Sequence, residues 1–167
     1  MVKYLSKSFI INFLLILIIF FLDRFSKIYV ISFHEKNYGS DLYNSKFLNI
    51  SLIWNEGIAF GLFSFSDKFF YHILSFLIGV VILIILIMLS RSEGLKKYSL
   101  LMILGGALGN FYDRIVFEAV PDFIDFHVEN FHWFIFNVSD IFISLGVLFM
   151  IILEIVFNKE ESLNEKN

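Results

Sequence analysis

Two aspartates in the last third of the chain are the residues best suited to chemistry. Asp140 lies near the front of FNVSDIFISLGVLFMIILEIVF, an apolar run at 136–157, and Asp122 lies 18 positions earlier in AVPDFIDF. Carboxyl groups are general acids and bases, and an acid kept beside lipid carries a solvation cost that calls for a reason. Each also has an ordinary reading. Asn137 and Ser139 are helix N-cap residue types, so Asp140 falls in a first helical turn, where the helix dipole favours an acid. Asp122 follows Pro121, the only proline. Proline fixes its own φ and pushes Val120 toward an extended conformation, which suits a positioned group and a loop corner equally.

Other chemistries are less well served. The chain has no cysteine, which excludes disulfides, thiolate metal sites, a cysteine nucleophile and a lipid-modified cysteine on this chain. The stretch HVENFH holds His127, Glu129 and His132. The two histidines are five apart and the acid is not adjacent to the first, so the HExxH geometry fails. His34 is isolated and His72 stands near the start of an apolar run. No metal and no other cofactor is expected. No Ser–Lys pair stands out, and no glycine loop of the phosphate-cradling kind is present.

The elements that must position these residues are membrane spans. The 167 residues are 58% hydrophobic and 19% aromatic, with 23 Phe and only 17% charged residues, more apolar surface than a soluble domain of this size can bury. Four runs reach the ~20 residues needed to cross the hydrocarbon, at about 9–33, 69–90, 98–116 and 137–157. The predicted fold is an all-α integral membrane protein, one four-helix domain over 1–158 with a polar, disordered tail at 159–167. The start, MVKYLSK then FIINFLLILIIFFL, has the form of a signal peptide. No small-residue cleavage site follows and apolar character resumes through IYVISF, so it reads as a retained first span. Lys3 and Lys7 precede that span, and Arg91, Lys96 and Lys97 crowd the link between spans two and three, whereas 117–136 has no Lys or Arg. The positive-inside rule makes both termini cytoplasmic and turns 34–68 and 117–136 outward. In FLNISLIW, Leu48, Ile50, Leu52 and Trp54 recur at every second position, the period of a half-exposed strand. A small extracytoplasmic β element is expected within 34–68, with turn glycines in NEGIAFG and a short outer loop or helix after span three.

Several polar residues map to the same outer level. Asp23 and Lys27 are four apart on one helix face, the spacing of an ion pair. Asn110 and Arg114 share a face of the third span, with Asp113 offset from them. Gly105 and Gly109 form a small-xxx-small pair that lets a neighbouring helix approach closely. Asp23, Asn55, Asn110, Arg114, Asp122, Asn137 and Asp140 come from three spans and two loops, and their convergence at one depth suggests a site.

These residues carry a resemblance that covers nearly the whole chain, in order. DRFSK at 23–27 resembles D-x-x-x-K, and NEGIAFG at 55–61 resembles N-x-G-x-A-F-G. GGALGNFYDRI at 105–115 is similar to G-G-A-x-G-N-x-x-D-R, VPDFIDF at 120–126 to V-x-D-F-x-D, and FNVSD at 136–140 to F-N-x-A-D. All are motifs of the lipoprotein signal peptidases (signal peptidase II). The resemblance implies a four-span aspartyl endopeptidase of the bacterial cytoplasmic (inner) membrane, both termini cytoplasmic and the active site extracytoplasmic. Its catalytic pair would be Asp122 and Asp140, supported by Asp23, Lys27, Asn55, Gly57, Asn110, Arg114 and Asn137. The substrate would be a prolipoprotein, cut just before its diacylglyceryl-modified cysteine by water that the two acids activate. The implied partners are that substrate and membrane lipid, with no nucleic acid, and the implied state is a monomer. Arg24 where Gln is usual, Pro121 before the aspartate and Ser139 in place of Ala are the departures.

Two rival readings remain. A small transport or proton-relay protein also buries acids beside Arg and Asn, but would distribute them across the membrane, and the cytoplasmic halves of these spans are nearly pure hydrocarbon. A membrane scaffold accounts for the aromatics and leaves the paired aspartates incidental. The G-x-G-D motif of another aspartyl peptidase type is absent.

Overall fold

The structure, a computed structural model, describes residues 7–57, 68–129 and 131–164. Four helices, α1 (Lys7–Lys36), α2 (Lys68–Arg91), α3 (Gly94–Phe117) and α4 (Val138–Asn164), share the chain with strands β1 (Tyr43–Asn44), β2 (Leu48–Asn55), β3 (Val120–Val128) and β4 (Phe131–Phe136). Lys7–Lys36, Tyr71–Arg91, Gly94–Phe117 and Val138–Phe157 are each long and apolar enough to cross a membrane. The fold is that of a mostly helical membrane protein with a small sheet. Side chains on the outside of the helices, such as Phe21, Leu83, Ile87 and Ile151, are apolar and exposed, a surface suited to lipid.

Helix α3 is the hub, packing against α1, α2 and α4. Its core with α2 is built on Leu100, Leu104, Ile82 and Ile85. Against α4 it uses missing side chains instead. A Cβ on Gly106 would lie 2.5 Å from the Ser139 carbonyl oxygen, and one on Gly109 would strike the Ser139 hydroxyl and lie 2.7 Å from an Asp23 carboxylate oxygen. The glycine face thus lets the N-terminus of α4 and the acid of α1 meet at the same level of α3.

The strands form one antiparallel sheet in the order β1-β2-β3-β4. β2 is the strand expected from the alternation in FLNISLIW. Its burial does not simply alternate, because the register with β3 shifts between Ile50 and Ile53; beyond that irregularity Trp54 is exposed and Asn55 buried. Where a short outer loop or helix is expected after span three, the chain makes the β3–β4 hairpin. Glu118 ends α3 in the left-handed region at φ 53, and Pro121 is the second residue of β3, paired with Trp54 of β2. Pairing with β4 begins only at Ile124, so proline's missing N–H removes no bond to that neighbour. Two further boundaries differ from the sequence reading. α4 continues through the polar NKEESLN to Asn164, where a disordered tail is expected, and α3 begins at Gly94, which puts Lys96 and Lys97 inside the helix rather than in a link.

Candidate active site

The end of β3 nearest α3 and the first turn of α4 deliver the two acids. Asn137 caps α4, and a reciprocal pair of bonds closes its first turn. The Asp140 N–H donates to Asn137 Oδ1 and the Asn137 N–H donates to Asp140 Oδ2, each over 3.1 Å. This is a capping box with Asp in the position usually held by Glu or Gln. The next free N–H of the turn, on Ser139, donates to Asp23 Oδ1 over 2.9 Å. Backbone donors that would otherwise be orphaned at a helix start therefore hold two carboxylates.

Three asparagines frame the acids in the same way. In each, the amide oxygen accepts from a fixed donor, which leaves the NH2 group to face a carboxylate. Asn55 Oδ1 accepts from the Gly57 N–H (2.9 Å) and its Nδ2 donates to Asp122 Oδ2 (2.8 Å). Asn137 Oδ1 is occupied by the Asp140 N–H, and its Nδ2 donates to Asp122 Oδ1 (2.6 Å). Asn110 Oδ1 accepts from Lys27 Nζ (2.9 Å), and its Nδ2 donates to Asp140 Oδ1 (2.7 Å). Every oxygen of Asp122 and Asp140 thus receives one hydrogen bond from an uncharged N–H donor. Asn137 touches both acids and ties them into one unit.

A charged layer lies behind this frame. Lys27 Nζ uses all three donors, to Asp23 Oδ2 (2.9 Å), Asp113 Oδ2 (2.7 Å) and Asn110 Oδ1. Arg24 donates to Asp113 Oδ2 (2.7 Å) and Asp23 Oδ2 (3.1 Å), and its guanidinium lies 4.9 Å from the Tyr112 ring centre. Lys27, Asp23 and Asp113 are fully buried; two cations and two carboxylates balance there, as buried charge requires. On the other flank Arg114 donates to the carbonyls of Asn110 (3.2 Å) and Gly57 (3.1 Å), joining α3 to the end of β2.

Burial pushes the Asp122 carboxyl up from 3.8 to about 6, helped by the negative charge of Asp140 and opposed by the bonds from Asn55 and Asn137. Desolvation and a like charge both disfavour the ionised form, and neutral amides only partly compensate. Asp140 is less enclosed. It borders an apolar groove of about 330 Å³ together with Phe134, Phe136, Ile141, Ser144 and Leu145. A carboxyl that burial makes easier to protonate, a second carboxyl joined to it through Asn137 and an apolar groove at their side can carry out acid–base attack on a bound chain.

The structure brings Asp122, Asp140, Asp23, Lys27, Asn55, Gly57, Asn110, Arg114 and Asn137 into one network. Ile58 to Gly61 of NEGIAFG, and with them part of the 34–68 segment, lie outside the described residues. Three members escape the sequence reading. Asp113 is not offset from the site. It is three residues from Asn110, a spacing that shares a helix face as i,i+4 does, and it turns toward α1. Arg24 stands out in the sequence only as a departure, and its role depends on Asp113 across the helix interface. The Ser139 N–H contribution is a backbone property with no side-chain signal. Finally, Asp125, His127 and His132 lie together on the hairpin, although their spacing fails the helical metal motif.

The profile described as Signal peptidase (SPase) II, Peptidase_A8, matches residues 15–157. The chain is 48% identical over 161 residues to a lipoprotein signal peptidase of Pelagibacter ubique, covering 96% of each. It is 32% identical to the lipoprotein signal peptidase of Anaplasma marginale, over 91% of this chain and 88% of that one. A solved structure described as a bacterial membrane enzyme superposes with a TM-score of 0.69 at 27% identity, covering 89% of this chain and 90% of the other.

Proposed function

This chain belongs to the signal peptidase II family, and on that premise we propose that Asp122 and Asp140 are the acid and base with which it hydrolyses a peptide bond. It is a membrane peptidase that removes signal peptides from prolipoproteins. The finer steps are our reading, and the observation that carries it is the pair of acids framed by neutral amides and joined through Asn137.

The pair shares one proton, and burial together with the Asp140 charge, which push the Asp122 carboxyl up to about 6, favour its resting there. Which acid bears it in solution is a property of the coupled pair. Asp140 takes a proton from water as the water oxygen attacks the scissile carbonyl carbon. Asp122 gives its proton to the carbonyl oxygen, forming a neutral tetrahedral diol. When the C–N bond breaks, the diol returns a proton to Asp122 and Asp140 delivers its own to the leaving amine. The pair ends as it began, one water is consumed, and no covalent enzyme intermediate forms. Asn55, Asn110 and Asn137 hold the carboxylate planes, Lys27 and Asp23 fix Asn110 and the start of α4, and Arg114 with Gly57 fixes the end of β2.

The cut falls before a diacylglyceryl-modified cysteine. The apolar groove beside Asp140 suits a substrate whose acyl chains stay in lipid. Lys7, Arg91, Lys96 and Lys97 belong to the end of the bundle away from the sheet, so that end faces the cytoplasm and the acids face outward.

The test is cleavage of a purified diacylglyceryl-modified prolipoprotein, with its unlipidated precursor alongside, by wild type, Asp122→Asn and Asp140→Asn. Cleavage of the lipidated substrate alone, reduced about 10²–10⁴-fold by either substitution, is the expected result. Near-normal turnover by either folded variant would show that the pair is not the catalytic unit.

A further inference from the structure

We propose that Asp125, His127 and His132 form a site for a Zn²⁺-class transition-metal ion on the β3–β4 hairpin, separate from the carboxylate pair. The backbone brings them together. Asp125 and His127 are two apart on β3, and His127 and His132 are directly paired across the hairpin. Cross-strand partners present their side chains on one face. The donor atoms of all three residues lie within 4.8 Å of one another.

The details favour a ligand over a simple Asp–His contact. His132 Nδ1 lies 2.8 Å from Asp125 Oδ2, which a hydrogen bond accounts for. His127 Nδ1 lies 3.8 Å from the same oxygen, too far to bond, and it is a buried ring nitrogen without a hydrogen-bond partner. The two rings stack with centres 5.4 Å apart and 29° between planes. A buried imidazole nitrogen aimed at a carboxylate but left unbonded carries a desolvation cost with nothing in return. A metal ion between the three groups satisfies it. Zn²⁺ with bonds of about 2.0–2.2 Å in tetrahedral geometry sets its ligands about 3.3 Å apart, between the 2.8 and 3.8 Å observed. Two imidazoles and one carboxylate favour a late first-row ion over Mg²⁺ or Ca²⁺, which prefer all-oxygen sites. His132 is half exposed, which gives an entry path and leaves a fourth position for water.

A metal there clamps the two strands that deliver the proposed active site. Asp122 is three residues before Asp125 on β3, and β4 ends one residue before Asn137. HVENFH fails the HExxH test because that test assumes a helix, whereas a hairpin supplies its own convergence.

The experiment is calorimetric titration of Zn²⁺ into the full-length protein in detergent, stripped with chelator and freed of any histidine tag, with excess Mg²⁺ and Ca²⁺ present. One bound equivalent is expected in the wild type. His127→Phe and His132→Ala should each weaken it by more than about tenfold, the loss that removal of even an outer-shell partner causes. His34→Ala should leave it unchanged. His132 is a surface position, so its variant reports on binding without risk to the core, and Co²⁺ absorption of the wild type reads the ligand set without any substitution. No saturable Zn²⁺ binding, affinity that survives both hairpin substitutions, an equal loss in His34→Ala, or a Co²⁺ spectrum of an all-oxygen site would each overturn the proposal.

Discussion

Four aspartates meet at the junction of α1, α3, α4 and the sheet, and they fall into two pairs with opposite surroundings. Asp23 and Asp113 are met by Lys27 and Arg24. Asp122 and Asp140 are met by Asn55, Asn110, Asn137 and a backbone N–H. Both sets are held by short hydrogen bonds, so rigidity does not distinguish them. Charge does. A cation fixes a carboxylate in place and also favours its anionic form, whereas an amide fixes it and leaves it freer to take a proton. The inner pair reads as scaffold and the outer pair as chemistry. The two meet at Asn110, whose amide oxygen is set by Lys27 and whose NH2 faces Asp140.

The largest effect is expected from giving the outer pair what the inner one has. Asn55→Lys places an ammonium beside Asp122 and should hold both acids ionised, reducing turnover by about 10²–10⁴-fold although no acid is lost. Asn55→Ala, which removes the bonds to Asp122 and Gly57 without adding a charge, is the control, and a Lys variant as active as the Ala variant would break the comparison. Removing the inner cations comes next. Lys27→Met leaves two fully buried carboxylates with Arg24 as their one remaining cation and should cost about 3–5 kcal/mol of stability, read as a lower midpoint in thermal or denaturant unfolding. Gly106→Ala, which brings a methyl group against the Ser139 carbonyl, should cost about 1–3 kcal/mol and displace the α4 cap. The smallest effect concerns the proton itself. Asp140→Asn should lower the titration of Asp122, seen by isotope-edited infrared, yet leave it above the ordinary value, because burial is the larger cause and remains.

The same shift has a consequence for stability. The folded chain holds the Asp122 proton up to about 6 and the unfolded chain releases it near 3.8. Between those values the folded state binds more protons, so Asp122's contribution favours folding at the acid end and is lost as pH rises to about 6.

Much of this was legible in the residues. The four spans follow from run length, β2 from the period of two in FLNISLIW, and the Asp140 turn from the cap residues before it. The hairpin at 120–136 was not legible, since its strands combine a proline near the start, a continuous apolar stretch and buried polar groups, which obscure a period of two. The partners of the inner layer were hidden for another reason. Arg24 and Asp113 are 89 positions apart, and only the close approach of α1 to the glycine face of α3 makes them neighbours. Which asparagine faces which acid is likewise tertiary, fixed by the donor that occupies each amide oxygen.

The central claim is that the amide-framed pair keeps one proton where a cation-framed pair would not. Its most direct test is an infrared pH titration of the protonated carboxyl band, taken as the difference between wild type and Asp122→Asn. A protonated carboxyl that disappears on substitution and titrates near 6 is the predicted result. A difference spectrum with no protonated carboxyl above the ordinary range near 3.8 would contradict it.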